Sequence, residues 1–514
     1  MCGIAAIHSF DGNIDTVCAT ADAEGMLARL AHRGPDDEGT RTLGEHSWLG
    51  HRRLSIVDLE GGHQPLGGAG GVDWSLVCNG EIYNHRELRD QLPTGAFGSC
   101  SDCAAALALL RDEGAEGLRR LRGMWALCAA THDGRFVAAR DPVGIKPLYW
   151  ARTGTAVYFA SELRAFPVGV QGRAEIFPPG CWWTPDGGLR RFAGAIPAPS
   201  PSQGWNGASR QDVEKATFDC VADSVRRHLM ADVEVGVFLS GGLDSGIVAA
   251  VAAKEYARRG RRLRTFAVGT PGSPDLLAAR ETAAFLGTEH REALLDARAA
   301  REALGEVVAC VESFDAGLIR SAVPNWFLSE LAAQHVKAVL TGEGADELFA
   351  GYGYYHEQHA APRDLDAELR RTITSLHGLN LQRCDRVTMA HGLEARVPFL
   401  DREVIGHAMS LPADMKTLEA DGMEKGHLRR AFAGRLPHHL LWRRKEQFGT
   451  GSGAQSVLSP VWDSRITQDE YAAALAQDGV PQLRSKEELG YYRAFRTALP
   501  GVRPAAVLTR FATG

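Results

Sequence analysis

Residues 233–245 have the sequence VEVGVFLSGGLDS and set the expected fold of the C-terminal half of the chain. The segment up to Leu239 is mostly apolar and predicts a strand, and the Ala- and Val-rich stretch that ends near Arg258 predicts a helix. A Gly-rich turn between a strand and a helix directs backbone N–H groups and the positive helix end towards bound phosphate. The stretch therefore predicts an α/β domain that binds a nucleotide.

Two more strands are expected in this half, over residues 265–269 and 336–340. A stretch rich in Gly and acids follows the second of them, up to Glu347. Because the carboxyl ends of parallel strands meet at one edge of a sheet, the two polar turns should lie side by side. Asp244 and Asp346 are the predicted ligands of Mg²⁺, which binds to a few carboxylates together with the phosphates of ATP.

The N-terminal half begins with Cys2, which becomes the first residue when the initiator Met1 is removed. A free α-amine on the same residue as the thiol can act as its general base, as in N-terminal nucleophile hydrolases. Short apolar segments, among them residues 136–139 and 157–160, alternate with Gly, Asp and Pro, and one helix is expected over residues 20–31. This pattern predicts two packed sheets with modest helical cover.

The composition excludes several classes of protein. With a net charge of −6 over 514 residues, the chain lacks the basic surface that nucleic-acid binding requires. It has no apolar run of about 18 residues and no basic start followed by an apolar core, so neither a membrane helix nor a secretory signal is expected. We predict a cytoplasmic protein that binds neither nucleic acid nor membrane.

The length predicts two or three domains. Residues 196–208 have the sequence IPAPSPSQGWNGA, and this Pro- and Ser-rich composition predicts a linker. We therefore expect a β-rich domain over residues 2–195 and an α/β domain over residues 209–514.

Three polar clusters in the N-terminal half point to one family. They are residues 51–58 (HRRLSIVD), residues 79–84 (NGEIYN) and the pair Ser101-Asp102. Each cluster alone is compatible with a turn or a helix cap. Together with Cys2 they resemble the glutaminase domain of class II glutamine amidotransferases, and the resemblance spans residues 2 to about 190.

This resemblance implies a role for each cluster. Cys2 would attack the amide of glutamine, and Asn79 and Gly80 would form the oxyanion hole. Arg53 would pair with the α-carboxylate of glutamine through its forked guanidinium. The implied glutamine-binding residues, of which the last two would hold the α-ammonium, are Arg53, Leu54, Ser55, Ile56, Val57, Asn79, Gly80, Glu81 and Asp102.

The loop at residues 240–245 matches the pyrophosphate loop of ATP pyrophosphatases, which release AMP and pyrophosphate, and differs from the kinase-type P-loop. The whole chain resembles the glutamine-hydrolysing asparagine synthetases, through residues 240–245, 266–276, 341–352, 394–401 and 445–448. That family adenylates a carboxylate with ATP, and ammonia released from glutamine crosses an internal tunnel and displaces AMP to give an amide. The resemblance also suggests a homodimer.

The same resemblance assigns residues in the C-terminal half. Glu343 would contact the acyl-adenylate and take a proton from the attacking ammonia. Lys445 would neutralise charge as pyrophosphate leaves. ATP would be bound by Leu239, Ser240, Gly241, Gly242, Asp244, Ser245, Val268, Thr341 and Gly342.

The stretch that should bind the acceptor departs from the family pattern. Close members have two threonines and a methionine where this chain has Gly317, Leu318 and Asn325, whereas Arg320 is retained. Together with Glu343 these four residues would bind the acceptor, and lost hydroxyl donors alter specificity steeply. The acceptor is then either aspartate, with neutral drift around it, or a different carboxylic acid, for example a larger one from a natural-product pathway; the glutamine site could also release an amine other than ammonia.

Two functions of other classes fit the sequence less well. A non-catalytic binding protein is disfavoured because the residues of both motif sets are present. An amidotransferase that transfers ammonia to a sugar or a pyrophosphoryl ribose would need no adenylation, so the loop at residues 240–245 argues against it.

Overall fold

The computed structural model of the protein describes residues 2–68, 73–93, 97–198, 205, 207–358, 362–444, 462 and 465–510. The N-terminal half contains two antiparallel sheets and the C-terminal half a parallel sheet with helices, which confirms the fold class expected from the sequence. The linker expected over residues 196–208 lies partly outside the described residues, and the domain bounds stay a prediction. None of the described helices combines the length and the apolar composition needed to cross a bilayer.

The N-terminal half is a sandwich of two sheets. Its strands are β1 (Gly3–Ser9), β2 (Asp37–Leu43), β3 (Ser47–Arg53), β4 (Leu66–Gly67), β5 (Ser75–Ile82), β6 (Gly123–Ala130), β7 (Phe136–Arg140), β8 (Tyr149–Arg152), β9 (Ala156–Ala160), β10 (Ala174–Ile176), β11 (Cys181–Thr184) and β12 (Gly188–Arg191). The sheet orders are β10-β8-β9-β1-β3-β2 and β12-β11-β7-β6-β5-β4. Ile4, Leu49, Val77 and Phe159 belong to the apolar core that the two sheets share. Cys2 directly precedes β1, which is an inner strand of the first sheet.

The single helix expected over residues 20–31 is wrong, because the chain turns at Asp22. Helix α1 spans Ile14–Ala21 and helix α2 spans Ala23–Ala28. Asp22 lies between them with a φ of 53°, and its carboxylate accepts a hydrogen bond of 3.1 Å from the backbone N–H of Gly25. Aspartate tolerates this left-handed conformation and caps a following helix, so one residue ends α1 and starts α2.

The C-terminal sheet contains β13 (Val235–Phe238), β14 (Arg264–Gly269), β15 (Glu289–Leu294), β16 (Ala338–Leu340) and β17 (Glu394–Arg396). All its pairings are parallel, in the order β15-β14-β13-β16-β17. The strand order reverses between β13 and β16, and open α/β sheets bind their ligands at such a point. The sequence predicted β13, β14 and β16 but missed β15 and β17, which carry charged residues.

Helices cover the sheets of both halves. They are α3 (His85–Gln91), α4 (Ala104–Glu113), α5 (Val168–Gln171), α6 (Arg210–His228), α7 (Leu243–Arg258), α8 (Pro274–Leu286), α9 (Ala297–Val311), α10 (Ala316–Ala333), α11 (Ala345–Leu348), α12 (Gly353–Gln358), α13 (Pro362–Ser375), α14 (Asn380–Met389), α15 (Arg402–Ser410), α16 (Gly426–Ala431), α17 (His438–Leu441), α18 (Gln468–Leu475), α19 (Lys486–Ala498) and α20 (Pro504–Val507). Helix α7 follows the Gly-rich loop directly and ends at Arg258, as the sequence predicted.

A buried ion-pair network joins the two halves. The guanidinium of Arg33, which is 0% exposed, lies 2.8 Å from Glu162 in the N-terminal half and 2.9 Å from Asp385 in helix α14 of the C-terminal half. Its Nε donates a hydrogen bond of 3.0 Å to the backbone carbonyl of Cys2. Helix α14 is thereby connected to the residue predicted to be the nucleophile.

Substitution of Asp385 tests the contribution of this network. Asp385→Ala should lower the free energy of unfolding by about 3–5 kcal/mol, because it removes a carboxylate that compensates a buried guanidinium. Urea unfolding followed by circular dichroism measures the change. Glu302→Ala, which removes an exposed ion pair with Arg298, is the control and should cost less than about 0.5 kcal/mol. Equal midpoints for the two variants would contradict this expectation.

Candidate functional site

Cys2 is buried at the start of strand β1. Its backbone nitrogen donates a hydrogen bond of 3.0 Å to Oδ1 of Asn79 in strand β5 of the other sheet. Burial raises the pKa of the Cys2 thiol to about 11, although the charge of the chain terminus and a hydrogen bond from the Leu54 backbone act in the opposite direction. The thiol is therefore neutral and needs an adjacent base before it can act as a nucleophile.

The predicted oxyanion hole lies within strand β5 and not in a turn. Nδ2 of Asn79 is buried, and it has no hydrogen-bond partner among the described residues. Gly80 has a φ of 155°, and a Cβ at this position would lie 2.0 Å from the backbone oxygen of Met124 in β6. The close approach of the two strands thus requires glycine. A buried amide donor next to Cys2 can stabilise an oxyanion without first breaking another hydrogen bond.

Arg53 ends strand β3 and anchors the loop that follows. Its guanidinium donates to the backbone carbonyls of residues 57–59 at distances of 2.6–3.2 Å. Leu54 and Ile56 of the same loop are buried in the apolar core, and the N–H of Ser55 is bonded to a carboxylate. The predicted glutamine-binding residues 53–57 therefore form one anchored loop beside Cys2. The pairing of Arg53 with the α-carboxylate of glutamine stays a prediction.

Two buried carboxylates stand at the predicted ammonium site. Asp102 accepts a hydrogen bond of 2.6 Å from the backbone of Ile82, and burial raises the pKa of its carboxyl to about 6. Burial also raises the pKa of Glu81 well above its usual value, and the negative charges of Glu394 and Asp102 add to the effect. The α-ammonium of glutamine, which is predicted to bind here, would relieve the repulsion between these carboxylates.

Two charged residues from strand β17 of the C-terminal half reach this site. Nη2 of Arg396 lies 3.3 Å from Oε2 of Glu81, and its Nε is paired with Glu394. Burial would raise the pKa of Glu394, but the chain terminus and Arg396 lower it to about 2. Neither Glu394 nor Arg396 has a predicted role, although both lie in the stretch 394–401 that resembles the family.

A cavity of about 590 Å³ lies where the loops after β13 and β16 meet. The predicted ATP- and acceptor-binding residues that line it are Ser240, Gly242, Asp244, Ser245, Val268, Gly317, Arg320, Asn325, Thr341, Gly342 and Glu343. Leu239 and Leu318 do not line it, because both side chains are fully buried in the core. Gly241 is also absent from the lining, and its carbonyl accepts a hydrogen bond of 3.1 Å from Arg443.

Glu343 and a second acid lie in this cavity. Glu343 is ion-paired with Arg383 of helix α14. Glu347 is buried, and it accepts hydrogen bonds from the Tyr352 hydroxyl at 2.8 Å and from Asn380 at 2.9 Å. Burial, together with the nearby charges of Asp346 and Glu343, raises the pKa of Glu347 to about 7. The sequence predicted Glu343 as a functional residue but missed Glu347, which resembled an ordinary acid in a first helical turn.

The predicted magnesium ligands approach a common cation. The ammonium of Lys425 lies 2.7 Å from Asp244 and 2.5 Å from Asp346. Two carboxylates that share one cation beside a phosphate-binding loop fit the ligand preference of Mg²⁺, to which phosphates add the remaining oxygens. The predicted catalytic Lys445 lies outside the described residues.

The predicted acceptor residues other than Glu343 lie on helix α10. Gly317 and Asn325 face the cavity, so the departures from the family pattern at these positions alter its wall. Arg320 is paired with Glu487 of helix α19, with its Nε 3.0 Å from Oε1. Glu487 also accepts a hydrogen bond of 2.9 Å from Tyr491. The sequence could not predict this partner, because it lies 167 positions from Arg320.

Both halves match known family models. Residues 1–176 match the glutamine amidotransferase domain, and residues 218–366 and 356–504 match asparagine synthase. The chain is 40% identical to an Arabidopsis thaliana asparagine synthetase (glutamine-hydrolysing), over 88% of this chain and 79% of the relative. It is 37% identical to a probable asparagine synthetase of Schizosaccharomyces pombe, over 97% and 94%. Asparagine synthetase B of Escherichia coli is 36% identical, over 97% and 92%.

The pKa of Asp102 predicts how glutamine binding depends on pH. If Asp102 holds the ammonium of glutamine, its carboxylate must be ionised, and the KM for glutamine should rise as the pH falls below about 6. The rise should approach about tenfold per pH unit, the limit for one essential ionisation. Glutamate release measured from pH 5 to pH 8 gives the profile.

Two variants complete this test. Asp102→Asn should raise the KM at pH 7.5 and flatten the profile, because the amide does not titrate. Asp133→Asn, which changes an exposed aspartate of the same half, should keep the wild-type profile. A KM that stays constant down to pH 5 in the unsubstituted protein would contradict the assigned role of Asp102.

Proposed function

This chain belongs to the family of glutamine-hydrolysing asparagine synthetases, and we propose that it forms an amide in two coupled reactions. The N-terminal half hydrolyses glutamine at Cys2. The C-terminal half uses ATP to adenylate a carboxylic acid, and ammonia from the first reaction displaces AMP in the second. The products are an amide, glutamate, AMP and pyrophosphate. L-Aspartate is the default acceptor, and asparagine is then the amide formed.

One observation carries this proposal: strand β17 contacts both sites. The Arg396 side chain lies 3.3 Å from Glu81 at the first site. The backbone carbonyl of Arg396 accepts a hydrogen bond of 2.9 Å from the N–H of Thr341, which lines the cavity of the second site. A shared strand of this kind supports the coupling of the two reactions.

The glutaminase reaction is supported by the surroundings of Cys2. After removal of Met1, its α-amine would accept the thiol proton as the sulfur attacks the amide carbon of glutamine. The unpartnered Nδ2 of Asn79 would donate to the oxyanion. The same proton would then leave with ammonia, and water would hydrolyse the thioester to glutamate. Glu81 and Asp102 would hold the substrate ammonium.

Adenylation is supported by the position and lining of the cavity. The Gly-rich loop at residues 240–245 lies at the reversal of strand order, where backbone N–H groups can contact phosphate. Asp244 and Asp346 would hold Mg²⁺, which supplies neutralisation of phosphate charge when it is bound. The acceptor carboxylate would attack the α-phosphorus of ATP, and pyrophosphate would leave.

Transfer of ammonia is supported by the apolar contact between the halves. Leu54 and Met124 of the N-terminal half and Leu239 and Val397 of the C-terminal half belong to one buried apolar cluster. A passage for ammonia that is lined by such apolar residues would favour neutral ammonia over the ammonium ion and would exclude water. Glu343 would accept a proton as ammonia attacks the acyl-adenylate, and Arg383 would keep its carboxylate in the cavity.

The second candidate function is the same reaction with a different acceptor, and two residues of the cavity wall support it. Gly317 and Asn325 face the cavity at positions where the family pattern has larger or hydroxyl-bearing residues. A larger carboxylic acid would find space beside Gly317, and the donated nitrogen could also be a substituted amine. The cytoplasmic location, the homodimer and the absence of nucleic-acid partners stay predictions.

Removal of the nucleophile separates the two reactions. Cys2→Ala should abolish glutamine-dependent amide formation, because no thioester can form. Ammonia-dependent formation should keep at least about half of its rate, because the substitution removes only the sulfur atom and keeps the backbone carbonyl that binds Arg33. Amide formation with ammonium chloride in place of glutamine measures the rate. Cys18→Ala, at a half-buried cysteine, is the control and should retain both activities.

Pyrophosphate release identifies the acceptor. With Mg²⁺, ATP and glutamine present, addition of L-aspartate should raise pyrophosphate release at least about tenfold, with asparagine as the product. If glutamine is strongly hydrolysed but aspartate does not raise pyrophosphate release, aspartate is not the acceptor. A panel of larger carboxylic acids, read out by the same release, would then identify the acceptor. Loss of pyrophosphate release with every acid would contradict adenylation itself.

A further inference from the structure

Lys425 is buried between the two carboxylates proposed to bind Mg²⁺. Its Nζ lies 2.7 Å from both carboxylate oxygens of Asp244 and 2.5 Å from Oδ1 of Asp346. Only 1% of its side chain is exposed. The ammonium therefore occupies the position between the two carboxylates at which a divalent cation would bind.

The backbone is arranged around this ammonium. Lys425 has a φ of 55°, a left-handed conformation that is uncommon for residues with a side chain. A Cβ at Gly351 would lie 2.4 Å from Cε of Lys425 and 2.0 Å from Oδ1 of Asp346, so a larger residue would displace both groups. Unusual backbone conformations persist where the surroundings fix them, and they cluster at ligand sites. These features are independent of the ion-pair distances and indicate a built position for the ammonium.

An ammonium and a divalent cation at this position compete for the same oxygens. If Mg²⁺ bound alone, the displaced ammonium would remain buried and would lose its compensating charges. Bound ATP changes this balance, because its phosphates bring negative charge and new hydrogen-bond acceptors for the ammonium. The same phosphates also supply ligands to the metal.

We propose that Lys425 is a resident cation that keeps divalent metal away from Asp244 and Asp346 until a nucleotide is bound. Metal and nucleotide then bind as a unit, and free Mg²⁺ does not occupy the site. This inference rests on the metal site of the proposed function. Lys425 acts on the metal ligands and not on reacting atoms, so it is a positioning residue.

Binding of Mn²⁺, measured by the loss of its free electron paramagnetic resonance signal, tests this inference on the full-length protein. Without nucleotide, Lys425→Met and Lys425→Gln should bind Mn²⁺ about tenfold or more tightly than the wild type, because the competing charge is gone. Lys425→Arg keeps the charge and should bind as weakly as the wild type. With a non-hydrolysable ATP analogue, the wild type should bind Mn²⁺ tightly. Circular dichroism verifies that each variant is folded.

The outcomes separate three explanations. If the Met and Gln variants bind the metal more tightly and the Arg variant does not, Lys425 is the resident cation. If adding Asp346→Asn to these variants abolishes the tighter binding, the metal binds at Asp346. Unchanged affinity in both variants, with lower thermal stability, would reduce Lys425 to a structural ion pair and overturn the inference. If the wild type binds no Mn²⁺ even with the ATP analogue, the proposed metal site itself fails, and this inference fails with it.

Discussion

The buried guanidinium of Arg396 is the interaction on which the arrangement of both sites depends. It is 0% exposed and is compensated by Glu394 and Glu81. A buried guanidinium without partners would be strongly destabilising, so these carboxylates and the strand that carries Arg396 must stay together. The same residue holds Thr341 through its carbonyl. The acidic wall of one site and the loop after β16, which lines the other site, are therefore held by a single residue.

Helix α14 is a second rigid connection between the sites. Arg383 and Asp385 are two positions apart and point from different faces of the helix, and Arg383 pairs with Glu343 in the cavity whereas Asp385 pairs with Arg33. Arg33 in turn binds the carbonyl of Cys2. All residues of the helix are buried, so it cannot shift without breaking several charged contacts at once. A displacement of the helix would therefore be felt at both sites, which supports the proposed coupling of the two reactions.

The sequence predicted the elements that depend on local pattern. Strands β13, β14 and β16 and the Gly-rich loop followed from apolar runs and turn residues. It could not predict the partners of Arg320 and Arg396, because ion pairs between distant segments leave no periodic signal. The break at Asp22 was missed for a different reason: the flanking residues are good helix formers, and one left-handed residue overrides them. Leu318 shows the same limit, since its helix position turns it into the core and away from the cavity.

Charge compensation also bears on acceptor choice. Two cations of the cavity have carboxylate partners within the protein: Arg320 has Glu487, and Lys425 has Asp244 and Asp346. Binding of an anionic ligand is then an exchange of ion pairs, whose net gain is smaller than that of pairing a free charge. Aspartate brings a second carboxylate that is not converted to amide, and at Arg320 it would compete with Glu487. If Arg320 binds the acceptor as proposed, acceptor specificity depends on helix α19 as well as on the substituted positions of helix α10.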